Sequence, residues 1–151
     1  MSRSRKRLLV RLALTAALFA SGCSALVTVD VTGGWAGDMT WTTGPATGMT
    51  QPFSLDLAQV EKDIAGTITL IGRGTETYTI NITFGRATGS TVEFTASGVN
   101  NVITPAVNVT FDFDGDATGT EMSGTGTANI EGTTYEFAWT ATLVAPPPAE
   151  S

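Results

Sequence analysis

The stretch that decides the fold is Met122–Leu143, which reads MSGTGTANIEGTTYEFAWTATL. Each half of it alternates in side-chain type, as a β-strand does when one face is buried and the other meets water. The buried face of the first half would carry Met122, Gly124, Gly126, Ala128 and Ile130, and that of the second half Tyr135, Phe137, Trp139, Ala141 and Leu143. Between the halves, Glu131-Gly132 has the composition of a tight hairpin turn. The stretch therefore predicts two antiparallel strands.

The same alternation recurs six times on the N-terminal side of this hairpin. Apolar residues occupy every second position around Trp35–Trp41, Phe53–Leu57, Ile64–Leu70, Tyr78–Phe84, Val92–Ala96 and Val107–Phe113. Turn residues separate these runs, in the segments 43–51, 59–63, 72–74, 85–90, 99–106 and 114–120. Consecutive strands joined by short turns favour antiparallel neighbours. The sequence predicts an all-β fold, an eight-stranded antiparallel up-and-down β-barrel, with a β-sandwich as the alternative.

Composition and charge limit the classes of function. The chain has 151 residues, of which 42% are hydrophobic and 15% charged, which suits one folded domain. Five of its eight basic residues lie before Cys23, and the chain beyond keeps Lys62, Arg73 and Arg86 against 14 acidic residues. That part carries a formal charge of −11, so we expect no nucleic-acid partner. Histidine is absent, which removes the commonest general base and metal ligand.

The N-terminal segment has the layout of an export signal. Residues 1–11 are basic, residues 12–20 are apolar, and Ser21-Gly22 precedes the single cysteine, Cys23. Nine residues in a helix rise about 14 Å, less than half of the roughly 30 Å of a hydrocarbon core. The segment is therefore predicted to be a signal peptide and not a transmembrane span.

Ala20-Ser21-Gly22-Cys23 resembles the lipobox of bacterial lipoproteins. The resemblance implies cleavage before Cys23, a diacylglycerol group on its sulfur, and usually an acyl chain such as palmitate on the new amino terminus. Two or three acyl chains give stable membrane anchoring. The alternative is an ordinary secretory signal in which Cys23 is incidental. Ser24 follows the cysteine. In some bacteria with two membranes, Asp at this position implies retention in the inner membrane, so Ser24 favours the outer membrane. If the organism has no outer membrane, we expect the anchor in the outer face of the plasma membrane.

These features divide the chain into four predicted parts. They are a lipoprotein signal peptide (1–22), a lipid anchor and tether (23–32), a β-barrel domain (33–143) and a proline-rich disordered tail (144–151).

Gly33-Gly34-Trp35, at the start of the first strand, resembles the Gly-x-Trp motif of lipocalins and related calycin barrels. The resemblance implies a barrel in which Trp35 plugs the closed end, and a small apolar ligand. Lipocalins also place an Arg near the last strand, and this chain has none after Arg86. The alternative is that Trp35 is an ordinary core aromatic at the start of a strand.

The interior of an eight-stranded barrel is either filled with side chains or holds one small ligand. The candidate residues for binding such a ligand are aromatic. If a ligand is held, the residues that would contact it are Trp35, Trp41, Phe111, Tyr135 and Trp139. The number of large apolar side chains favours a filled interior instead. Gly66, Gly124 and Gly126 would leave space on the inner face, so we expect any cavity beside the seventh strand.

Asp112-Phe113-Asp114-Gly115-Asp116 places carboxylates at alternate positions, as some calcium loops do. An EF-hand would need Gly at Ala117 and Glu at Ser123, so the cluster is predicted to be a solvated strand end. No metal site and no cofactor is predicted.

Three hypotheses of function follow. The first is a non-enzymatic, membrane-anchored barrel that binds a small apolar molecule or acts as an envelope interaction module. The second is a structural envelope lipoprotein with a filled core. The third is a carboxylate-dependent hydrolase, which requires two buried acids within about 10 Å of each other.

Overall fold

The computed structural model describes residues 27–71 and 75–144, and all of its regular structure is β. The predicted signal peptide, Cys23, the turn at 72–74 and the tail from 145 lie outside the described residues. The strands are β1 (Gly33–Trp41), β2 (Thr50–Val60), β3 (Asp63–Ile71), β4 (Thr77–Thr88), β5 (Thr91–Asn100), β6 (Val107–Ala117), β7 (Glu121–Ile130) and β8 (Thr133–Leu143).

The eight strands form a closed antiparallel barrel in which each strand pairs with the next along the chain. β8 then pairs with β1, with Trp35 opposite Leu143 and Trp41 opposite Phe137. This closure confirms the predicted up-and-down barrel and excludes the sandwich. It also leaves no free sheet edge among these strands.

Aromatic rings fill the middle of the barrel. Phe113 stacks on Phe94 with 4.7 Å between ring centroids, and its centroid lies 5.1 Å from that of Phe137 and 5.4 Å from that of Trp139. These residues come from β5, β6 and β8, so one cluster ties together strands that are distant in sequence. The core is built from aliphatic and aromatic side chains, and among the described residues no Ser, Thr, Asn, Gln or charged side chain is buried.

Threonine and acidic residues cover the outer wall, as the alternation predicts. Some neighbouring hydroxyls bond across strands, with 2.8 Å between the Oγ1 atoms of Thr69 and Thr79 and 3.1 Å between Ser97 Oγ and Thr110 Oγ1. Cross-strand pairs of this kind help to fix strand register.

The prediction that Phe84 faces inward with Tyr78, Ile80 and Ile82 was wrong. Phe84 is 53% exposed, because the register of the β4–β5 pair shifts between Ile82 and Phe84. Such a bulge places two residues of one strand opposite one of its partner and reverses the alternation beyond it. Ala87 is buried as a result.

Several strands extend further than the apolar runs indicated. β2 begins at Thr50, inside the predicted loop 43–51, and β5 continues to Asn100, beyond its predicted end at Gly98. The turns between β2 and β3 and between β4 and β5 shrink to 61–62 and 89–90. Closure of the barrel provides hydrogen-bonding partners for polar residues at strand ends, where the side-chain pattern alone carries no signal.

The two ends of the barrel differ. At one end, which we call the terminal end, short connections at 61–62, 89–90 and 118–120 lie beside the described chain termini at 27–32 and Val144. At the other, the loop end, lie the longer connections 42–49 and 101–106, the turn 131–132 and the described residues 75–76. None of the described residues forms a helix long and apolar enough to cross a membrane.

The segment before β1 forms part of the barrel. Val31 is fully buried, and the Val29 amide donates to the Gly89 carbonyl, with 2.7 Å between N and O. The barrel core therefore includes a residue of the segment predicted as anchor and tether (23–32).

Candidate functional site

The five aromatic residues predicted to bind a ligand separate into two groups. Trp35, Phe111 and Trp139 are at most 2% exposed and pack within the core. Trp41 and Tyr135 lie at the loop end, where Tyr135 is half-buried. The structure thus brings only two of the five residues to the edge of the core.

Trp35 closes the terminal end from within. Its indole N–H donates to the Val31 carbonyl, with 2.8 Å between Nε1 and O. Trp35 thus lies near the terminal end of the barrel, at the start of β1. Its partner is backbone of the preceding segment.

The space expected beside the seventh strand is occupied. A Cβ at Gly126 would overlap the Phe137 ring, and one at Gly124 would overlap the Asp114 carbonyl oxygen. The expectation of space at Gly66 was also wrong, since a Cβ there would meet the Asp56 carbonyl oxygen. These glycines permit close approach of neighbouring strands and of an aromatic ring. Gly126 also borders a shallow pocket of about 290 Å³ that opens to solvent beside Thr125, Glu136 and Ala138.

The connection 42–49 creates two shallow pockets at the loop end, one on each side of it. Both are lined by Trp41 and Ala46. The first, which we call the Trp41 pocket, has a volume of about 240 Å³ and is completed by Thr43, Pro45, Ile130 and Tyr135. The second is about 360 Å³ and is completed by Met49, Thr50, Gln51, Pro52 and Ile71.

Aromatic contacts hold the floor of the Trp41 pocket. The Trp41 ring meets Tyr135 edge-on at a centroid distance of 6.4 Å, and meets Phe137 in the same manner at 5.6 Å. Phe137 belongs to the central cluster, so the position of Trp41 is fixed by the core. A rigid, preformed aromatic surface of this kind suits the binding of an apolar group.

Backbone hydrogen bonds shape the connection 42–49 above that floor. The Gly48 amide donates to the Trp41 carbonyl at 2.7 Å, and the Thr42 amide donates to the Glu136 carbonyl at 2.9 Å. Gly44 has a φ of 82°, and a Cβ there would overlap the Tyr135 ring. The connection is therefore held close to Tyr135, and the Trp41 pocket has a defined wall.

Ala46, Pro45 and Ile130 line the Trp41 pocket but were missed by sequence reasoning. The useful signal was the length of the segment 43–51 and its Gly44-Pro45 pair, which indicated a loop near Trp41. That Ile130 lies beside this loop depends on the pairing of β1 with β8, which local patterns do not specify.

No protein-family model matches this chain. No curated protein and no solved structure shows significant similarity to it either. Inferences about the site therefore depend on its own geometry.

The carboxylates of the described residues lie on the outer wall, in the connections between strands and, for Asp30, in the segment before β1. Asp114 and Asp116 are exposed, and Asp112 accepts a hydrogen bond from the Thr95 hydroxyl. Within 27–71 and 75–144, no group of three or more acidic, His or Cys side chains is arranged to hold a metal ion. The same residues include no buried acid, so the buried pair that the hydrolase hypothesis requires is not found there.

Among the described residues, two titratable groups have shifted pKa values. Burial raises the pKa of the Tyr78 hydroxyl to about 12, because the phenolate form would lose hydration. The Thr32 backbone N–H, and then its hydroxyl, lower the pKa of Asp30 by bonding to the charged carboxylate. Neither group lines the Trp41 pocket, so neither supplies acid–base chemistry there.

Proposed function

We propose that this protein is a membrane-anchored lipoprotein of the bacterial cell envelope, lipidated at Cys23, with a non-enzymatic barrel that binds a small apolar molecule at its loop end. The observation that carries the binding proposal is the Trp41 pocket, which combines an apolar lining with a floor fixed by the core. The anchor is supported by Ala20-Ser21-Gly22-Cys23.

The size of the Trp41 pocket limits the ligand. At about 240 Å³ it falls below the 300–1,000 Å³ typical of sites for drug-sized molecules. It fits one aromatic ring or a short acyl segment, held partly in the pocket and partly in solvent. Because the barrel interior is packed with side chains, binding at the loop end would need no rearrangement of the core.

The second candidate function, an envelope interaction module, is favoured by exposed apolar side chains at the loop end. Val99 and Ile103 are about half exposed at the loop end. An apolar side chain of a protein partner could occupy the Trp41 pocket while these residues contact the surrounding surface.

Blocking the pocket tests the binding proposal. We expect Ala46→Phe to fill the space next to Trp41, and Ala36→Phe, on the exposed outer wall of β1, to serve as the matched control. Binding of the apolar dye Nile red should fall at least tenfold in the first variant and stay unchanged in the second. Equal binding by both variants would show that the pocket is not the binding site.

Extraction of the native protein separates the two candidate functions. Organic extracts of wild-type protein purified from its own host should contain an apolar compound that is missing from extracts of Ala46→Phe. If the two extracts are the same while cross-linking through the loop end captures a protein in the wild type only, the interaction module is favoured.

The anchor is tested by intact mass and fractionation. Wild-type protein should lack residues 1–22, carry the added mass of two or three acyl chains, and sediment with membranes. Cys23→Ser should remove the added mass and release the protein from membranes. Unmodified wild-type protein in the soluble fraction would refute the anchor.

A further inference from the structure

We propose that the terminal end of the barrel is apposed to the surface of a zwitterionic lipid bilayer, so that the loop end with its Trp41 pocket points away from the membrane. This inference rests on the proposed lipid anchor at Cys23, and adds an orientation and a second contact surface to it.

Hydrogen bonds fix the place where the tether joins the barrel. The Gln59 amide group contacts the preceding segment twice: its Nε2 donates to the Val29 carbonyl and its Oε1 accepts from the Val31 amide, both at 2.9 Å. The Val29 amide is itself bonded to Gly89. The chain is therefore held at the terminal end from Val29 onward.

The stretch of sequence between Cys23 and Val29, which is hydrogen-bonded to the barrel, is short. Six residue steps separate Cys23 from Val29, and a fully extended chain of that length spans at most about 20 Å. The shortest strands of the barrel have nine residues, which corresponds to about 30 Å of strand and, with a strand tilt of roughly 35–45°, to about 21–25 Å along the barrel axis. The tether cannot follow the barrel wall from one end to the other, so the terminal end stays nearest to the bilayer.

Exposed valines mark the terminal end. Val60, beside the 61–62 turn, is 74% exposed, and Val27, four residues after Cys23, is 91% exposed. Val144 is also exposed and lies at this end, where its amide donates to the Gly34 carbonyl at 2.8 Å. Apolar side chains from three separate segments are thus exposed at the terminal end, and each would be stabilised by contact with the bilayer interface.

Charge at the terminal end determines which lipid surface fits. The described residues include two basic side chains, Lys62 and Arg86. The exposed acidic residues at the terminal end outnumber them: Asp30, Glu61, Asp63, Asp116 and Glu121. An anionic membrane would repel this end. A zwitterionic surface does not repel these acids, and the exposed valine side chains can still contact its apolar interface.

Site-specific labelling tests the orientation. Because the lipid occupies the sulfur of Cys23, a new cysteine can be labelled selectively with a fluorophore. Val60→Cys and Val99→Cys form a matched pair of exposed valines at opposite ends of the barrel. In lipidated full-length protein on phosphatidylcholine vesicles that contain a nitroxide-headgroup lipid, we expect at least threefold stronger quenching at position 60 than at 99.

Flotation of the vesicles distinguishes the two ways in which the inference can fail. If the protein does not float with the vesicles, the lipid anchor is wrong, and the orientation with it. If it floats but the two labels are quenched equally, or position 99 more strongly, only the orientation is overturned.

Discussion

Trp35 and Val31 are joined by a buried hydrogen bond in which the indole N–H donates to a backbone carbonyl 2.8 Å away. Both residues are almost completely buried. Trp35 begins the inward face of β1, whereas Val31 belongs to the segment that precedes it. The bond therefore makes that segment part of the folded barrel.

Replacing the indole tests this bond. Trp35→Phe keeps most of the apolar volume but leaves the Val31 carbonyl without its partner, so we expect the free energy of unfolding to fall by about 1–3 kcal/mol. Trp35→Ala also removes the packing and should cost about 3–5 kcal/mol. Urea unfolding followed by circular dichroism measures both values. Wild-type stability in Trp35→Phe would contradict a structural role for the bond.

Gln59→Ala should loosen the segment before β1. The substitution removes the contacts of Gln59 with Val29 and Val31. We expect the Val31 amide to exchange with deuterium at least tenfold faster, as measured by NMR. Gln51→Ala is the matched control, because Gln51 Nε2 donates to the Ile71 carbonyl at the loop end. Unchanged protection of Val31 in Gln59→Ala would show that other contacts hold the segment.

Gly124→Ala should destabilise the barrel severely. The new methyl group would overlap the Asp114 carbonyl oxygen, and backbone cannot move away as a side chain can. We expect a loss of about 3 kcal/mol or more, or failure to fold. Gly34→Ala, in β1, has nothing within 4 Å of the new methyl group and should change stability by less than about 1 kcal/mol. Similar melting temperatures for the two variants would contradict the close approach of β6 and β7.

Two phenylalanines, one inside the barrel and one on its outer wall, form a matched pair of substitutions that tests how much core packing contributes to stability. Phe113 is 1% exposed within the aromatic cluster, and Phe84 is 53% exposed beyond the β4 bulge. We expect Phe113→Ala to lower the free energy of unfolding by about 3–5 kcal/mol and Phe84→Ala to lower it by less than about 1 kcal/mol. Denaturant titration gives both values. A large loss in Phe84→Ala would place that side chain inside.

Tyr78 makes stability fall at alkaline pH. Its pKa is raised from the ordinary 10.0 to about 12 in the folded protein. Below pH 10 the hydroxyl is protonated in both states. Above it the unfolded chain loses the proton first, so stability declines up to about pH 12. The expected loss is roughly 2–3 kcal/mol.

Tyr78→Phe provides the control for this pH dependence. Denaturation curves between pH 9 and 12 should show a smaller decline in this variant than in the wild type, since no hydroxyl ionises at position 78. Identical slopes would mean that the alkaline sensitivity comes from other groups.

The sequence predicted the barrel because the pattern that specifies it is local. Alternation within each strand and turn residues between strands imply hairpins, and eight successive hairpin-linked strands can close on one another. Phe84 was placed on the wrong face because a bulge depends on the partner strand and leaves no mark in the alternation itself.

The candidate site was harder to predict because it depends on contacts between distant segments. Trp41 and Tyr135 were both selected as aromatics, but their contact requires β8 to pair with β1. Small residues were the larger difficulty. Gly124 and Gly126 were interpreted as space, whereas they admit a neighbouring backbone and a ring. Ala46 carried no signal of its own.

Pairing of the last strand with the first has a consequence for biosynthesis. A nascent chain presents β1 early, yet β1 lacks one of its two neighbours until β8 is complete. Until then the partial sheet has two open edges, which can template association with other chains. Closure of the barrel therefore requires β8, and a chain truncated before β8 would leave two strand edges unpaired.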